Sequence, residues 1–230
     1  MTTTTMATLP ELRTELRRRL DDLVEPYLWE DLELDSYLNE AEREAATRAL
    51  LIRDTSTADV VQIAAAMDDE WIDLHESILL IEYAYITDPI NGRKARITEM
   101  GEDELNVNDT VMLSRGIPSR FIHVGQQIRL YPIPSEAVDV SLIVRRLPLA
   151  DMVEGSDPVS QPEIHRQHHY RMLDWAIRCA YLKRDSDAYD DKLADKHEGL
   201  FTASFGIMND ANVRRKHNQL QDDTTTPINF

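Results

Sequence analysis

Cysteine is almost absent: Cys179 is the single one in 230 residues. No disulfide can form within the chain, so it does not belong with the small secreted domains that are held by cross-links. Glycine is scarce too, and Gly101, Gly116 and Gly125 are scattered. No phosphate-cradling loop, nucleophile elbow or dinucleotide fingerprint can be built from them, which removes the usual nucleotide and hydrolase chemistries. No run approaches the roughly 18 consecutive apolar residues of a membrane-spanning helix. The start, Met1-Thr-Thr-Thr-Thr-Met6, has neither the basic flank nor the apolar stretch of a secretion signal. A soluble chain with no membrane partner is therefore expected.

Basic charge is also short. Lys and Arg number 25 against 42 for Asp and Glu, a formal net charge of −17. Such a surface repels a polyanion instead of neutralising its phosphates, so DNA binding through a basic face is not expected. A surface that repels phosphates can still let DNA slide past it. The chain is 42% hydrophobic and 29% charged, close to ordinary folded proteins. Its length suits a single core bearing an inserted lobe.

Leu9, Leu12, Leu16, Leu20 and Leu23 step by three and four, the spacing of one helical face, with Pro10 in the first turn and Pro26 as the stop. A second helix is predicted from Asp31, burying Leu34, Leu38, Ala41, Ala45, Ala49 and Ile52, with acids at its start to suit the helix dipole. The period then changes. Val60–Ile63, Trp71–Leu74, Ile78–Ile86, Arg93–Thr98, Arg120–Val124, Gln127–Tyr131 and Val138–Leu147 read as about six or seven strands. Asn91-Gly92 marks a hairpin between two of them. Helical spacing returns after Ser160-Gln-Pro-Glu163, a capping-box pattern. Ile164, His168, Met172, Trp175, Cys179 and Leu182 then form a stripe. A last helix, from about Ser186 to Ser204, carries Tyr189, Leu193, His197, Leu200 and Phe201 and ends at Gly206.

The expected fold class is α+β: a helical body from the N- and C-terminal helices (about 9–53 and 162–205) with an inserted antiparallel β-lobe (about 58–148). Together these make one domain, 1–206. Leu34, Leu38, Met172, Trp175, Cys179 and Leu182 are the expected core residues. Residues 207–230 are too polar to form a core of their own and read as an extended C-terminal arm. Val213, Leu220, Ile228 and Phe230 are its isolated apolar anchors for a partner.

Three groups of residues invite chemistry. His165 and His169 stand four apart on a helix, a spacing that can place two imidazoles on one metal, with His168 beside them. No further ligand matches them, and His168 on the apolar stripe suits a core histidine. Cys179 lies mid-stripe, where a thiol packs as a small apolar group. Glu99, Glu102, Asp103 and Glu104 lack the alternating order of a calcium loop and read as a solvated charge run. Arg115, Arg120, Arg129, Arg145 and Arg146 would fall on both faces of a sheet, which favours ion pairs between subunits over a nucleic-acid patch. No catalytic residue, metal site or cofactor is expected.

In their order, five segments resemble one family: Trp29-Glu-Asp-Leu-Glu-Leu-Asp-Ser-Tyr-Leu-Asn-Glu-Ala-Glu-Arg-Glu44, Arg115-Gly-Ile-Pro-Ser-Arg-Phe-Ile122, Ile128-Arg-Leu-Tyr-Pro-Ile-Pro134, Leu173-Asp-Trp-Ala176 and Asp187-Ala-Tyr-Asp190. The family is that of the head-to-tail adaptor proteins of tailed bacteriophages, also called connector or neck proteins, and the resemblance spans Leu9 to Gly206. It implies a structural virion protein, assembled in the host cytoplasm, that forms a dodecameric ring beneath the portal protein. The ring would join the portal to a tail nozzle or other tail component and surround double-stranded DNA without binding it specifically. The alternatives are another neck or tail-completion ring protein and a metal-dependent enzyme using His165 and His169.

Overall fold

Thr8, Pro10 and Glu11 open helix α1 (Leu9–Leu20). The Thr8 backbone N–H donates to the Glu11 carboxylate at 3.1 Å, tying down the first turn as a capping glutamate does. The helix ends at Leu20, earlier than the apolar spacing predicts, because Asp21 turns left-handed at φ 57°. Leu23 lies outside it and is exposed. Pro26 is therefore not what stops the helix; a left-handed conformation costs aspartate less than most other residues.

The computed structural model describes residues 8–88, 91–101, 114–155, 160–184 and 187–208. They form an α+β structure in two compact units, one made of the chain up to Ile52 with Leu147–Met208, the other of Arg53–Arg146. Buried apolar side chains fall into two clusters, not the single core that chain length suggested.

In the helical unit, α2 (Asp31–Ala49) buries Leu34, Leu38, Ala41, Ala45 and Ala46. It ends where Leu50 turns left-handed, so the expected Ala49 is exposed and Ile52 opens a strand instead. The later helices are α4 (His169–Tyr181) and α5 (Asp191–Phe205). Ser160 does not start α4. Its carbonyl accepts the Leu9 N–H at 2.8 Å, Glu163 accepts the Leu149 N–H at 2.7 Å, and a 3-10 turn at Arg166–His168 delays the helix. The delay shifts the phase of the stripe: His169, not His168, is the buried histidine, and Leu173, Ala176, Ile177 and Ala180 are buried beside Met172 and Trp175. Leu182 falls on the C-cap, where the chain leaves the helix, and is 37% exposed.

Asp190 caps α5, accepting the N–H groups of Lys192 and Leu193 at 2.9 and 3.0 Å. The expected start at Ser186 lies outside the described residues. With that start moved, Tyr189 and Leu200 of the expected stripe are exposed, and Ala194, Phe201 and Phe205 are buried. Gly206 ends the helix with φ 83° and an N–H bonded to the Thr202 carbonyl, a conformation that costs glycine little.

The second unit is a sheet. Asp54 accepts the N–H groups of Ser56 and Thr57, turning the chain into a one-turn helix α3 (Ala58–Val61) where a strand was expected at Val60. Strands follow at β1 (Ile52–Asp54), β2 (Gln62–Ala65), β3 (Trp71–Asp73), β4 (Ile78–Thr87), β5 (Lys94–Glu99), β6 (Arg115–Gly116), β7 (Arg120–Val124), β8 (Gln127–Tyr131), β9 (Ile133–Pro134) and β10 (Val138–Arg146). Among the described residues the main sheet has eight strands in the order β1-β10-β4-β5-β7-β8-β3, with β2 also on β10, while β6 and β9 pair separately. Most pairings are antiparallel, as in β4 on β10 and β7 on β8, but β5 and β7 run parallel. Val138, Val140, Leu142 and Val144 alternate into the apolar cluster along β10.

Candidate interaction surface

The residues that invited chemistry are already engaged. His169 is 2% exposed, with its Nε2 at 3.0 Å from the Ile164 carbonyl. His165 accepts the Gln167 N–H, and the His168 ring lies 5.7 Å from that of Phe205. Among the described residues, no three His, Cys, Asp or Glu side chains come together as a metal site. The Cys179 thiol lies 3.7 Å from Glu40, and burial pushes its pKa up to about 12, which leaves little thiolate. Glu102, Asp103 and Glu104 lie outside the described residues.

A pocket of about 280 Å³ on the sheet unit is lined by Thr55, Gln62, Tyr85, Lys94 and Ser141, among others. Lys94 donates to the Ser141 hydroxyl at 3.2 Å, and that hydroxyl donates to Gln62 at 2.9 Å. The lysine acts as a donor to the serine, not as a base that could take its proton.

The sheet arginines find partners within the chain, contrary to the expectation of pairs between subunits. Arg115 pairs with Asp68, Arg129 with Glu70 and Arg145 with Glu82. Arg146 meets Asp54 at 2.6 Å with both side chains buried. Burial alone would raise the Asp54 pKa, but the N–H groups of Ser56 and Thr57 and the Arg146 guanidinium hold it well below the usual carboxylate range. These pairs link neighbouring strands and turns of the same unit, since each carboxylate lies beside its arginine in the sheet or its turns.

The helical unit presents a different kind of surface. Between α1 and α2 the chain is tied from below: Asp22 is buried, pairs with Arg17 and accepts the Leu28 N–H at 2.9 Å. Arg17 also donates to the Trp29 carbonyl at 2.8 Å and to Asp31 at 2.6 Å, and its guanidinium stacks 4.0 Å from the Tyr27 ring centroid. Trp29 is 1% exposed. On this anchored platform Leu23, Val24, Tyr27, Leu28 and Leu32 all face solvent, with Val24 79% and Leu32 81% exposed. Four of these large apolar side chains are on the pinned loop and Leu32 is in the first turn of α2, a concentration of exposed apolar residues of the kind that interaction sites use.

Sequence reasoning missed this surface by assigning Leu23 to the first helix. The signal was the break Asp21-Asp22, two residues that favour turns, followed by apolar residues with no helical period. Of the expected core residues, Leu34, Leu38 and Met172 are 0% exposed and Trp175 is 8% exposed, while Cys179 is half-buried. The arm residues Val213, Leu220, Ile228 and Phe230 lie outside the described residues.

A protein-family model described as SU10 adaptor protein matches residues 7–227. No curated protein matches the chain. Among the described residues, no helix is long and apolar enough to cross a membrane.

Proposed function

The chain belongs to the SU10 adaptor protein family, a family of phage head-to-tail adaptors, and from that premise we propose that it forms a dodecameric ring beneath the portal protein. The ring joins the portal to the tail nozzle or other tail component, surrounds the DNA channel, and assembles in the host cytoplasm before it becomes part of the virion neck. The observation that carries this reading is the family match, which spans nearly the whole chain. Two physical features support it. The net charge of −17 suits a passage that DNA must cross without adhering. The pinned apolar loop between α1 and α2 suits a protein whose work is contact with other subunits.

In the same reading, the C-terminal arm, 207–230, binds the portal or a neighbouring subunit through Val213, Leu220, Ile228 and Phe230. Isolated anchors on a polar chain suit groove or strand-addition binding. The test is to add the purified protein to DNA-filled, portal-bearing heads that lack necks and to image them. A ring of density directly beneath the portal is the expected result. Density only at the far end of a completed tail would identify a tail-completion protein instead.

A further inference from the structure

Two parts of the helical unit, the α1–α2 loop and the start of α4, differ in charge. The Glu33–Lys183 ion pair at 2.7 Å places the start of α2 beside the end of α4. Glu42, farther along α2, bonds to the backbone of Glu163 ahead of α4. The α1–α2 loop therefore lies beside the end of α4, and the segment ahead of α4 lies beside the middle of α2.

The stretch between Leu20 and Glu42 has no lysine or arginine, and Asp21, Glu25, Glu30 and Asp31 are exposed around the apolar side chains, while Arg18 before the loop and Lys183, paired with Glu33, stand beside it. Around the start of α4 there is no acid between Glu163 and Asp174, and the Arg19 guanidinium of α1 lies 3.6 Å from the Tyr170 ring centroid. His165, Arg166 and Arg171 are exposed there, next to Tyr170 at 55% exposure. Apolar surface continues the basic part: the His168–Phe205 ring contact brings the end of α5 to it, and Ile207 and Met208 follow at 67% and 62% exposure. In a chain with a net charge of −17, such a basic surface stands apart.

We infer that the acidic, apolar part of the helical unit docks onto the basic part of a second copy of this chain. Both surfaces offer apolar area for the centre of a contact, and their opposite charges set its orientation. Two acidic loops would repel one another, so the contact is head to tail. The loop binds at little entropic cost because Arg17, Asp22 and Trp29 already hold it in shape. A head-to-tail contact repeats from copy to copy and closes into a ring when its rotation allows. The inference deepens the adaptor reading by giving the ring its subunit contact.

The test uses the full chain in two double variants. Val24→Ser with Leu32→Ser removes the apolar surface of the loop and the first turn of α2 at its two most exposed positions, and Arg166→Glu with Arg171→Glu reverses the basic part. Self-association is measured by sedimentation as concentration rises to the millimolar range, with circular dichroism as the check on folding. The parent is expected to self-associate, less so at high salt, and each variant alone to weaken by on the order of a hundredfold. Mixed together, the two variants should form one-to-one heterodimers, because each retains the surface that the other lacks. A variant that does not fold is replaced by Leu23→Ser or by Arg166→Gln.

A parent that stays monomeric, variants that associate as the parent does, or a mixture that yields no heterodimer would each overturn the inference. Association lost only in the loop variant would point to contact between like loops and overturn it as well. None of these results bears on whether the parent reaches the portal vertex of neckless heads, so the two readings fail separately.

Discussion

The Glu42 carboxylate, 2% exposed near the middle of α2, accepts the backbone N–H of Glu163 at 2.6 Å. It takes the Ile164 N–H as well, at 3.2 Å. One buried acid thus holds the segment ahead of α4 against α2.

Burial raises the Glu42 pKa to about 7, against the two backbone hydrogen bonds that lower it, with Glu163 and Asp151 adding repulsion. The folded pKa lies above the unfolded one, so between them the folded state binds the proton more tightly. The stability this group contributes is full below about pH 4.5 and is lost as pH rises to about 7, a change on the order of 3 kcal/mol. Glu42→Gln retains an acceptor but cannot ionise, so denaturant melts of the variant between pH 5 and 8 should lose that part of the parent's slope. Parallel slopes in parent and variant would show that Glu42 does not titrate in this range.

The Arg17–Asp22 ion pair underlies the exposed loop. Asp22→Ala leaves the Leu28 N–H unmet and the buried guanidinium with less compensation, and should cost about 3 kcal/mol. Trp29 should become wetter as the loop loosens, which its fluorescence would report as a shift to longer wavelength. An unchanged melting temperature and spectrum would show that Asp31 alone holds Arg17 and the loop.

Along α4, Leu173 is 0% exposed and Leu182 is 37% exposed. Leu173→Ala should therefore cost about 2–5 kcal/mol and Leu182→Ala well under that. Trp175→Ala should cost about 3–5 kcal/mol. Its ring meets Phe201 at 5.1 Å between centroids, and its indole N–H bonds to Glu40 at 3.0 Å. Equal melting temperatures for the two leucine variants would contradict the placement of the helix end.

Deleting 222–230 removes Ile228 and Phe230 from a polar stretch with too little apolar side chain to support a core. The truncated chain should melt like the parent and attach more weakly to portal-bearing heads. Attachment at full strength would show that these anchors have no role in assembly.

Much of the fold was legible in the sequence. Leu9, Leu12, Leu16 and Leu20 repeat at helical spacing and are all buried, and the alternation along Val138, Val140, Leu142 and Val144 marks the inward face of β10. Such periodicities are local: a helix or strand shows its buried side wherever it packs. The family was legible too, in the order of short segments that the family model spans.

What only the tertiary structure decided are the ends of the elements and the partners of the charges. Asp22 reaches Arg17, Leu28 and Trp29 and so ends α1 early, and Glu163 is taken by Leu149 and so does not start α4. Arg115, Arg129, Arg145 and Arg146 looked free to pair across subunits, but each finds its carboxylate inside the fold. A hydrogen bond or ion pair depends on two groups meeting in space, often far apart in sequence, and no spacing rule along one segment can supply the second group. For the same reason Leu23, Val24, Tyr27 and Leu28 of the loop, with Leu32 in the first turn of α2, read in sequence as one more apolar stretch. It becomes a surface only because Asp22 and Trp29 hold it with those side chains turned to solvent.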